Sequence, residues 1–542
     1  MNEPSIATNA SWDVIVVGSG ATGGVAAMTL SDGGCRVLVI EAGRMMTPKQ
    51  SFPGEIAKAF GRLRGINSGR HQRQAQHPGY WKNNPELYVD ERLHPYDHPD
   101  DQPFLWTQGQ QVGGRSLTWG GITLRLSDED FDGIDGDAGG QRWPIGSREL
   151  TPHYEALETF LGVNGDHDQL CHLPDGVSRS PLPFTAAEQR FADRVNQQLG
   201  HRVIHSRGFA PHQRQDGPWP RSSSRGSSLK QALASGRVDI LSDHKVEHLL
   251  MAANGDHADG VVAVDQSNGS RKTLKAAHVV LCGSTIQSVA VLLRSTRHGL
   301  SEGSGQLGQR LMDHVSTAQF FAMPGASDTP QPALSGAGSF FLPFGRRLKD
   351  VDFSGGYGLW GGIGRFDPPG WLKRNSNTTT GFLIGHGEVL PNPANRVSLS
   401  RKCDRWGITI PHIACRWRAN EQAMVRHMRQ TMLACIDAAG AQALPIKDLF
   451  RLPLVEPMLN GAVALSESAP PPGYYIHEVG GAPMGDSADT SVVDPFNRLW
   501  RCPNVLVVDG ACWPTSAWQS PTLTMMAITR RACQALISSR AE

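Results

Sequence analysis

The sequence predicts an α/β fold in which one discontinuous domain carries a second, inserted domain. A βαβ unit opens the chain, and strand and helix signals return over residues 236–283 and again after residue 470. Between the region 236–283 and the region after residue 470, residues 316–469 carry glycine- and proline-rich stretches, strand-like runs and one amphipathic helix near 420–438. Because α/β signals occur at both ends and in the middle of the chain, we expect the domain that they build to be discontinuous.

The composition is that of a large globular protein without an overall charge. The 542 residues include 52 Lys and Arg and 51 Asp and Glu, a formal net charge of +1. This balance provides no overall field for a nucleic acid or an anionic membrane and leaves room only for a local charged patch. The arginine-rich stretches at 62–73 and 221–225 are interpreted as solvated surface.

The cysteines and the N-terminus favour a cytoplasmic protein. Nine scattered cysteines contain no CxxC pair, which argues against a disulfide framework and against thiolate zinc sites. The N-terminus has no basic region followed by an apolar stretch, as a signal peptide would. No segment approaches the roughly 20 apolar residues that a membrane span needs. We therefore expect a cytoplasmic location and no membrane span.

The first βαβ unit carries a dinucleotide-binding pattern. The apolar strand Trp12–Val17 leads into Gly18, Gly20 and Gly23 of a GxGxxG motif that opens a helix. The first glycine allows the tight turn, the second lets the backbone approach a pyrophosphate, and the third lets the helix pack on the strand. Glu41 ends the second strand, where a carboxylate binds both ribose hydroxyls and repels the 2′-phosphate of NADP. The unit predicts a site for an ADP moiety, belonging to either FAD or NAD.

Two further segments bear on that choice. The stretch GGRSLTWGG at 113–121 is a second loop of close backbone approach, which a planar ring system could use and a nicotinamide fold does not require. Near the C-terminus, the strand 503–510 ends in Asp-Gly, and the segment SPTLT at 520–524 then opens a helix. Amides at that helix start could hold an electron-rich group such as a flavin carbonyl.

Together these segments resemble the glucose–methanol–choline (GMC) family of flavoprotein oxidoreductases. Within the family the chain looks most like the pyranose-oxidase branch and the bacterial glycoside 3-oxidase and 3-dehydrogenase branch. The matching segments follow the family order along nearly the whole chain: 18–41, VGGRSLTWGG, GSTIQSVAVLLRS, SGQLGQRLMDH, LPNPANRVSL, HEVGGAPMG and VVDGACWPTSAWQSPTLT.

The resemblance implies FAD as the cofactor and a two-domain architecture. A Rossmann-like FAD-binding domain would comprise residues 1–130, 230–315 and 470–542. An inserted α+β substrate-binding domain, built on an antiparallel sheet, would comprise residues 131–229 and 316–469.

The resemblance also assigns the residues that bind the cofactor. Pyranose oxidases bond the flavin covalently through a histidine of the glycine loop. In this chain Thr118 stands there, so we expect dissociable FAD, with Thr118 near flavin N5. The expected cofactor-binding residues are Gly18, Gly20, Gly23, Glu41, Gly114, Ser116, Thr118, Trp119, Val246, Asp509, Gly510, Pro521 and Thr522.

His477 is the expected general base. It lies in HEVGGAPMG on an expected strand, YYIHEV, and matches the proton-abstracting histidine of the family. The family's second catalytic group, an Asn or His before the Pro of the PTLT-like segment, is replaced by Ser520. A serine hydroxyl still forms hydrogen bonds but has a shorter reach. Either Ser520 or the preceding Gln519 could fill the second catalytic position.

The resemblance predicts oxidation of a secondary hydroxyl of a sugar or glycoside, at carbon 3, to give a keto sugar. The electron acceptor, oxygen or another molecule, and the oligomeric state are left open. Alternatives are oxidation of a sterol, an aminocyclitol or a primary alcohol, or a flavin-bound lyase of the same fold. The histidines 94 and 98 are each followed by a proline, which makes a shared helical face improbable, and the pair 201/205 has no supporting carboxylate cluster, so no metal site is expected.

Overall fold

A computed structural model describes residues 12–133, 142–325, 333–346, 348–365, 375, 377–445 and 469–541. Within the expected substrate-binding domain, residues 134–141, 326–332, 347, 366–374, 376 and 446–468 lie outside the described residues. The division of the chain at the boundaries given above stays a prediction.

The described residues form helices α1 to α11 and strands β1 to β16. The helices are α1 Ala21–Asp32, α2 Pro48–Ser51, α3 Glu55–Asn67, α4 Pro78–Lys82, α5 Asp128–Asp132, α6 Ser147–Leu161, α7 Ala186–Leu199, α8 Ser228–Ala234, α9 Thr285–Thr296, α10 Ala419–Ala438 and α11 Thr522–Ala541. The strands are β1 Trp12–Val17, β2 Val37–Ile40, β3 Ile204–His205, β4 Val238–Leu241, β5 His244–Met251, β6 Ala258–Asp265, β7 Arg271–Leu281, β8 Val315–Pro324, β9 Phe340–Gly345, β10 Tyr357–Ile363, β11 Thr378–Gly387, β12 Arg396–Cys403, β13 Thr409–Ala414, β14 Gln442–Ala443, β15 Arg498–Leu499 and β16 Cys502–Val507.

A mixed sheet of eight strands draws on three distant parts of the chain. Its path runs β15-β16-β7-β1-β2-β4, and the antiparallel strands β5 and β6 extend it from β7. Strands β16, β7, β1, β2 and β4 are mutually parallel. On the central strand β1, Val14, Ile15 and Val16 are fully buried, as expected of a parallel strand covered on both faces. Helices α1 and α11 contribute to the core on one face.

The second sheet is antiparallel and belongs to the middle of the chain. Its six strands follow the order β14-β8-β11-β10-β9-β3. The methionine row Met424, Met428 and Met432 of α10 is buried in the same core as β8 to β11. Together with the Rossmann-type parallel strands, this arrangement confirms the predicted α/β fold class.

Two local predictions were wrong. The sequence LTPHYEALETFLGV predicts a helix over 150–163 with Pro152 in its first turn. The helix begins at Ser147 instead, so Pro152 lies in the second turn. The earlier start is fixed by Glu149, whose Oε2 accepts a hydrogen bond of 2.9 Å from the Gly146 amide. From about residue 45 to Pro103 the sequence is rich in Pro, His, Gln and Arg and predicts loops, but the region contains the 13-residue helix α3.

Candidate functional site

A large cavity lies where the parallel strands end. Its volume is about 550 Å³, and its wall includes the residues that follow β1, β2, β7 and β16. In doubly wound sheets ligands bind beyond the carboxyl ends of the strands. The cavity is therefore at the position where the fold places a ligand.

Two glycine loops meet at one end of the cavity. Gly18 has a φ of +100°, and a Cβ there would lie 2.4 Å from the Cys282 carbonyl oxygen. Gly20 faces open space, because a Cβ there would have no atom within 4 Å. The second glycine loop packs closely against the first, because a Cβ on Gly114 would lie 3.2 Å from Gly20 Cα. This cradle of bare backbone at the start of α1 fits a dinucleotide phosphate group.

Glu41 ties the cradle to the end of β2. Its Oε2 accepts hydrogen bonds from the Ser19 amide at 3.0 Å and the Ser19 hydroxyl at 2.6 Å, and its Oε1 accepts one from the Gly43 amide at 2.8 Å. Burial raises the pKa of Glu41 above its ordinary value. The carboxyl group lines the cavity and fits the ribose-binding position expected from the sequence.

The structure brings nearly all of the expected cofactor residues to this one cavity. Gly23 is the exception: its role is packing, because a Cβ there would lie 2.0 Å from the Gly18 carbonyl oxygen. Asp509 is fixed by the Ser288 hydroxyl at 2.6 Å and the Ala511 amide at 3.0 Å, and burial raises its pKa to about 6. The expected residues that line the cavity are Gly18, Gly20, Glu41, Gly114, Ser116, Thr118, Trp119, Val246, Asp509, Gly510, Pro521 and Thr522.

His477 lies in the cavity wall, but the strand expected around it is absent. Ile476 has a φ of +66°, a left-handed conformation that breaks a strand and that a β-branched residue rarely adopts. The buried Asp313 holds the turned chain: its Oδ1 accepts from the His477 amide at 2.9 Å and from the His314 amide at 2.8 Å, and its Oδ2 accepts from the Gly473 amide at 2.9 Å. Burial raises the pKa of Asp313 to about 7.

A second histidine determines which nitrogen of His477 carries the proton. His314 Nε2 lies 2.5 Å from the Ala517 carbonyl oxygen, which can only accept, so Nε2 carries the hydrogen. In the neutral ring His314 Nδ1 is then an acceptor, and it lies 2.9 Å from His477 Nδ1. His477 therefore donates from Nδ1, and its Nε2 keeps a free lone pair. This is the tautomer that a general base requires.

Both rings are held in the neutral form. Burial lowers the pKa of His314 to about 4. Burial, together with the neighbouring His314, His386 and Arg115, lowers the pKa of His477 well below 6.5. The accessible part of His477 faces the cavity, so little bulk water solvates a charged ring.

The two candidates for the second catalytic position lie in different places. Ser520 lines the cavity, and its hydroxyl makes no hydrogen bond with the described part of the chain. Gln519 is fully buried and absent from the cavity wall; its Nε2 donates to Asp130 Oδ2 at 2.7 Å. Only Ser520 is placed to meet a substrate.

The sequence analysis missed several polar residues of the wall, among them His77, Arg115 and Lys82. His77 accepts from the Gly79 amide at 3.0 Å through Nδ1, and burial lowers its pKa to about 4, so its Nε2–H is a donor. Arg115 donates to Glu478 at 2.9 Å and to Ser284 at 2.7 Å. Lys82 ends α4 at the wall, and burial lowers its pKa. His77, which directly precedes Pro-Gly, could have been recognised as a helix cap.

Comparison with known proteins decides the family. Residues 12–316 match the N-terminal domain of the GMC oxidoreductases, and residues 391–529 match the C-terminal domain. The chain is a GMC oxidoreductase. It is an FAD-dependent enzyme that oxidises CH–OH donors, which confirms the cofactor and the reaction class expected from the sequence.

Relatives extend over nearly the whole length of this oxidoreductase. Paromamine 6'-oxidase of Streptomyces fradiae is 27% identical over 97% of this chain and 91% of its own. C-glycoside 3-oxidase of Microbacterium trichothecenolyticum is 24% identical over 96% of this chain and 95% of its own. The structure of formate oxidase from Aspergillus oryzae covers 98% of both chains at 15% identity, with a TM-score of 0.62. This structural similarity supports the fold alone.

The described residues contain neither a metal-binding cluster nor a membrane-spanning helix. No group of three or more His, Cys, Asp or Glu side chains in the described ranges is arranged to hold a metal ion. Among the helices of the same ranges, none is both long and apolar enough to cross a bilayer.

Proposed function

We propose that this GMC oxidoreductase oxidises a secondary hydroxyl of a sugar or glycoside, at carbon 3, to a ketone. The hydrogen bond between His314 and His477 supports the proposed role of His477 as the base, because it leaves a neutral imidazole nitrogen of His477 free in the cavity wall. The similarity to C-glycoside 3-oxidase supports the substrate class and the position. We also propose that the enzyme stays in the cytoplasm and holds FAD without a covalent bond.

The proposed residue roles follow from the hydrogen bonds of the cavity wall. The two glycine loops and Glu41 would hold the ADP part of FAD, and Asp509 with the start of α11 would hold its flavin part. When bound, FAD supplies the hydride acceptor, N5 of the flavin. His477 Nε2 would accept the O–H proton of the substrate while the carbon that bears this hydroxyl gives up its hydride to the bound acceptor, and a C=O bond would form.

The surrounding side chains position the alcohol and the base. Ser520 offers a hydroxyl that can donate to or accept from the substrate oxygen. His77 offers an N–H donor in the same wall. Asp313 and His314 hold the backbone and ring of His477, so the base does not need to rotate before accepting a proton.

The test is the visible spectrum of the flavin during anaerobic addition of glucose and then of aryl glycosides and C-glycosides. We expect the flavin band to bleach with a glycoside that has a free 3-hydroxyl. The matched 3-O-methyl glycoside should leave the flavin oxidised, and NMR of the product should show a ketone at carbon 3. Bleaching by the 3-O-methyl compound would overturn the proposal that carbon 3 is oxidised.

A second candidate is oxidation of the primary hydroxyl of an aminocyclitol glycoside. It is favoured by the similarity to paromamine 6'-oxidase, whose identity of 27% exceeds the 24% of C-glycoside 3-oxidase. Bleaching by paromamine but not by simple glycosides, with an aldehyde as the product, would select this candidate.

A further inference from the structure

One helix presents a row of apolar side chains outward and two of its basic side chains to the protein. On α3, Ile56, Phe60 and Leu63 are 77%, 70% and 59% exposed. Their i, i+4, i+7 spacing places all three on one face. The opposite face holds Lys58 and Arg62, whose side chains are only 18% and 12% exposed. An ordinary surface helix has the reverse arrangement. The outward face of α3 is therefore suited to contact a binding partner.

Exposed apolar side chains are concentrated around this helix. Nine large hydrophobic side chains of the described residues are exposed, and five of them lie between residues 45 and 63. Scattered single exposures are ordinary, but a cluster marks an interaction site. We name the outward row Ile56, Phe60 and Leu63 the α3 surface; Met45 and Phe52 precede it in the same segment.

The segment that carries the α3 surface is strongly basic. Residues 44–73 contain seven Lys and Arg against one acidic residue, Glu55, a formal charge of +6 in a chain whose total is +1. Glu86, from the following segment, pairs with Arg44 at 3.0 Å and with Arg64 at 3.1 Å, which reduces this charge without reversing it. The side chains of Arg44 and Arg64 remain 51% and 70% exposed. Arg64 therefore borders the outward apolar face of α3 with a cationic side chain, whereas Arg62 faces the protein and Arg70 is paired with Glu86 and Asp90.

We propose that the α3 surface docks the enzyme on an anionic lipid surface. Apolar side chains on one helix face, with Lys and Arg around them, characterise a helix that lies in the membrane interface. The basic residues would meet anionic headgroups while Ile56, Phe60 and Leu63 enter the acyl boundary. This inference does not depend on which alcohol the enzyme oxidises.

Other occupants fit the surface less well. A symmetric contact with a second copy would bring two positively charged segments together, which is unfavourable. An acidic protein would match the charge, but it would also need a groove shaped for the apolar row. A bilayer accepts the row without a matching shape.

Docking there would bring the cavity close to the lipid. Helix α3 is followed by α4, and both the cap of α4, His77, and its last residue, Lys82, line the cavity. A lipid-soluble electron acceptor would then be available on the same side of the molecule.

The test is flotation of the full-length, FAD-loaded enzyme with phosphatidylcholine vesicles, with and without phosphatidylglycerol. We expect binding to the anionic vesicles, weakened by salt. The combined substitution Ile56→Ser, Phe60→Ser and Leu63→Ser should lower the partition coefficient at least about tenfold. The matched substitution Val177→Ser and Leu433→Ser, at side chains that are 46% and 48% exposed elsewhere, should leave it unchanged.

A second variant tests the electrostatic contribution to vesicle binding separately from the apolar contribution. Lys49→Gln with Arg64→Gln should weaken binding to anionic vesicles and should leave flavin absorbance and thermal stability unchanged, because both side chains are exposed. Failure of the wild-type enzyme to float with anionic vesicles would overturn the proposal. So would equal flotation of the triple-serine variant, or a dimer that this variant dissociates without any binding to vesicles.

Discussion

His477 and His314 face each other with their Nδ1 atoms 2.9 Å apart, although 163 residues separate them in the chain. One of these nitrogens must donate and the other must accept. The carbonyl oxygen of Ala517 settles the choice from the far side of His314, at 2.5 Å from its Nε2. A hydrogen-bond chain that begins on a backbone carbonyl thus ends on a lone pair in the cavity.

The first prediction concerns His314 as a positioning residue. His314→Ala removes the acceptor for His477 Nδ1–H, so the base loses its fixed tautomer and orientation. We expect the rate of anaerobic flavin reduction to fall roughly tenfold to a hundredfold, the range for lost orienting partners. His314→Gln keeps an amide that can accept from His477 and should retain more of the rate. Equal loss in both variants would indicate a purely structural role.

The second prediction concerns pH. The competent form of His477 is neutral, and its pKa is held well below 6.5 by burial. The value of kcat/KM for flavin reduction should therefore stay level as the pH falls through 6.5 and decline only in more acidic solution. A profile that loses half its rate near pH 6.5 would show that the base has an ordinary pKa.

The same shifts predict acid sensitivity of the fold. His314 titrates at about 4 in the folded state and near 6.5 when unfolded, so the unfolded state binds more protons between these values. The stability contribution is present above pH 6.5 and is lost as the pH falls toward 4. Thermal unfolding should show a shallower loss of Tm over this window in His314→Gln than in the wild type, and identical slopes would contradict the lowered pKa.

The third prediction concerns Glu41. Glu41→Gln removes the carboxylate that accepts from Ser19 and Gly43 and that we expect to meet the ribose. Loss of a charged hydrogen-bond acceptor costs about 1.5–3 kcal/mol, so the Kd for FAD should rise roughly tenfold to a hundredfold. Asp13→Asn, at the opposite end of β1, is the control and should leave the Kd unchanged. An unaltered Kd in Glu41→Gln would place the ribose elsewhere.

Much of the cofactor cradle could be predicted from the sequence because its determinants are local. The strand, glycine turn, helix and terminal acid of the first βαβ unit lie within 30 residues, and β1 has the predicted bounds Trp12–Val17. Each step depends on a periodicity or a backbone requirement that neighbouring residues carry.

Other features could not be predicted because their causes are distant or atypical. The break at Ile476 depends on Asp313, which is far away in the chain. Helix α3 lies in a stretch whose Pro, His, Gln and Arg content predicts loops, and its arrangement is atypical, because its apolar stripe faces outward and its inner face carries Lys58 and Arg62. The role of His314 depends on the Ala517 carbonyl, which no sequence motif indicates.

The fourth prediction concerns the flavin linkage. Thr118, which the sequence resemblance aligns with a flavin-bonding histidine, lines the cavity, and its hydroxyl donates to the Arg115 carbonyl at 3.2 Å. A hydroxyl engaged in this way offers no nucleophilic ring nitrogen. Acid precipitation should therefore release all FAD into the supernatant, in the wild type and in Thr118→Ala alike. A yellow pellet from the wild type would show a covalent bond to another side chain.

The most direct measurement is the rate of anaerobic flavin reduction by a glycoside in His477→Ala, compared with the wild type at equal FAD occupancy. We expect the variant to retain FAD, because its side chain is not part of the cradle, and to reduce it at least about a hundredfold more slowly. Reduction at an unchanged rate, with FAD fully bound, would contradict the assignment of His477 as the base.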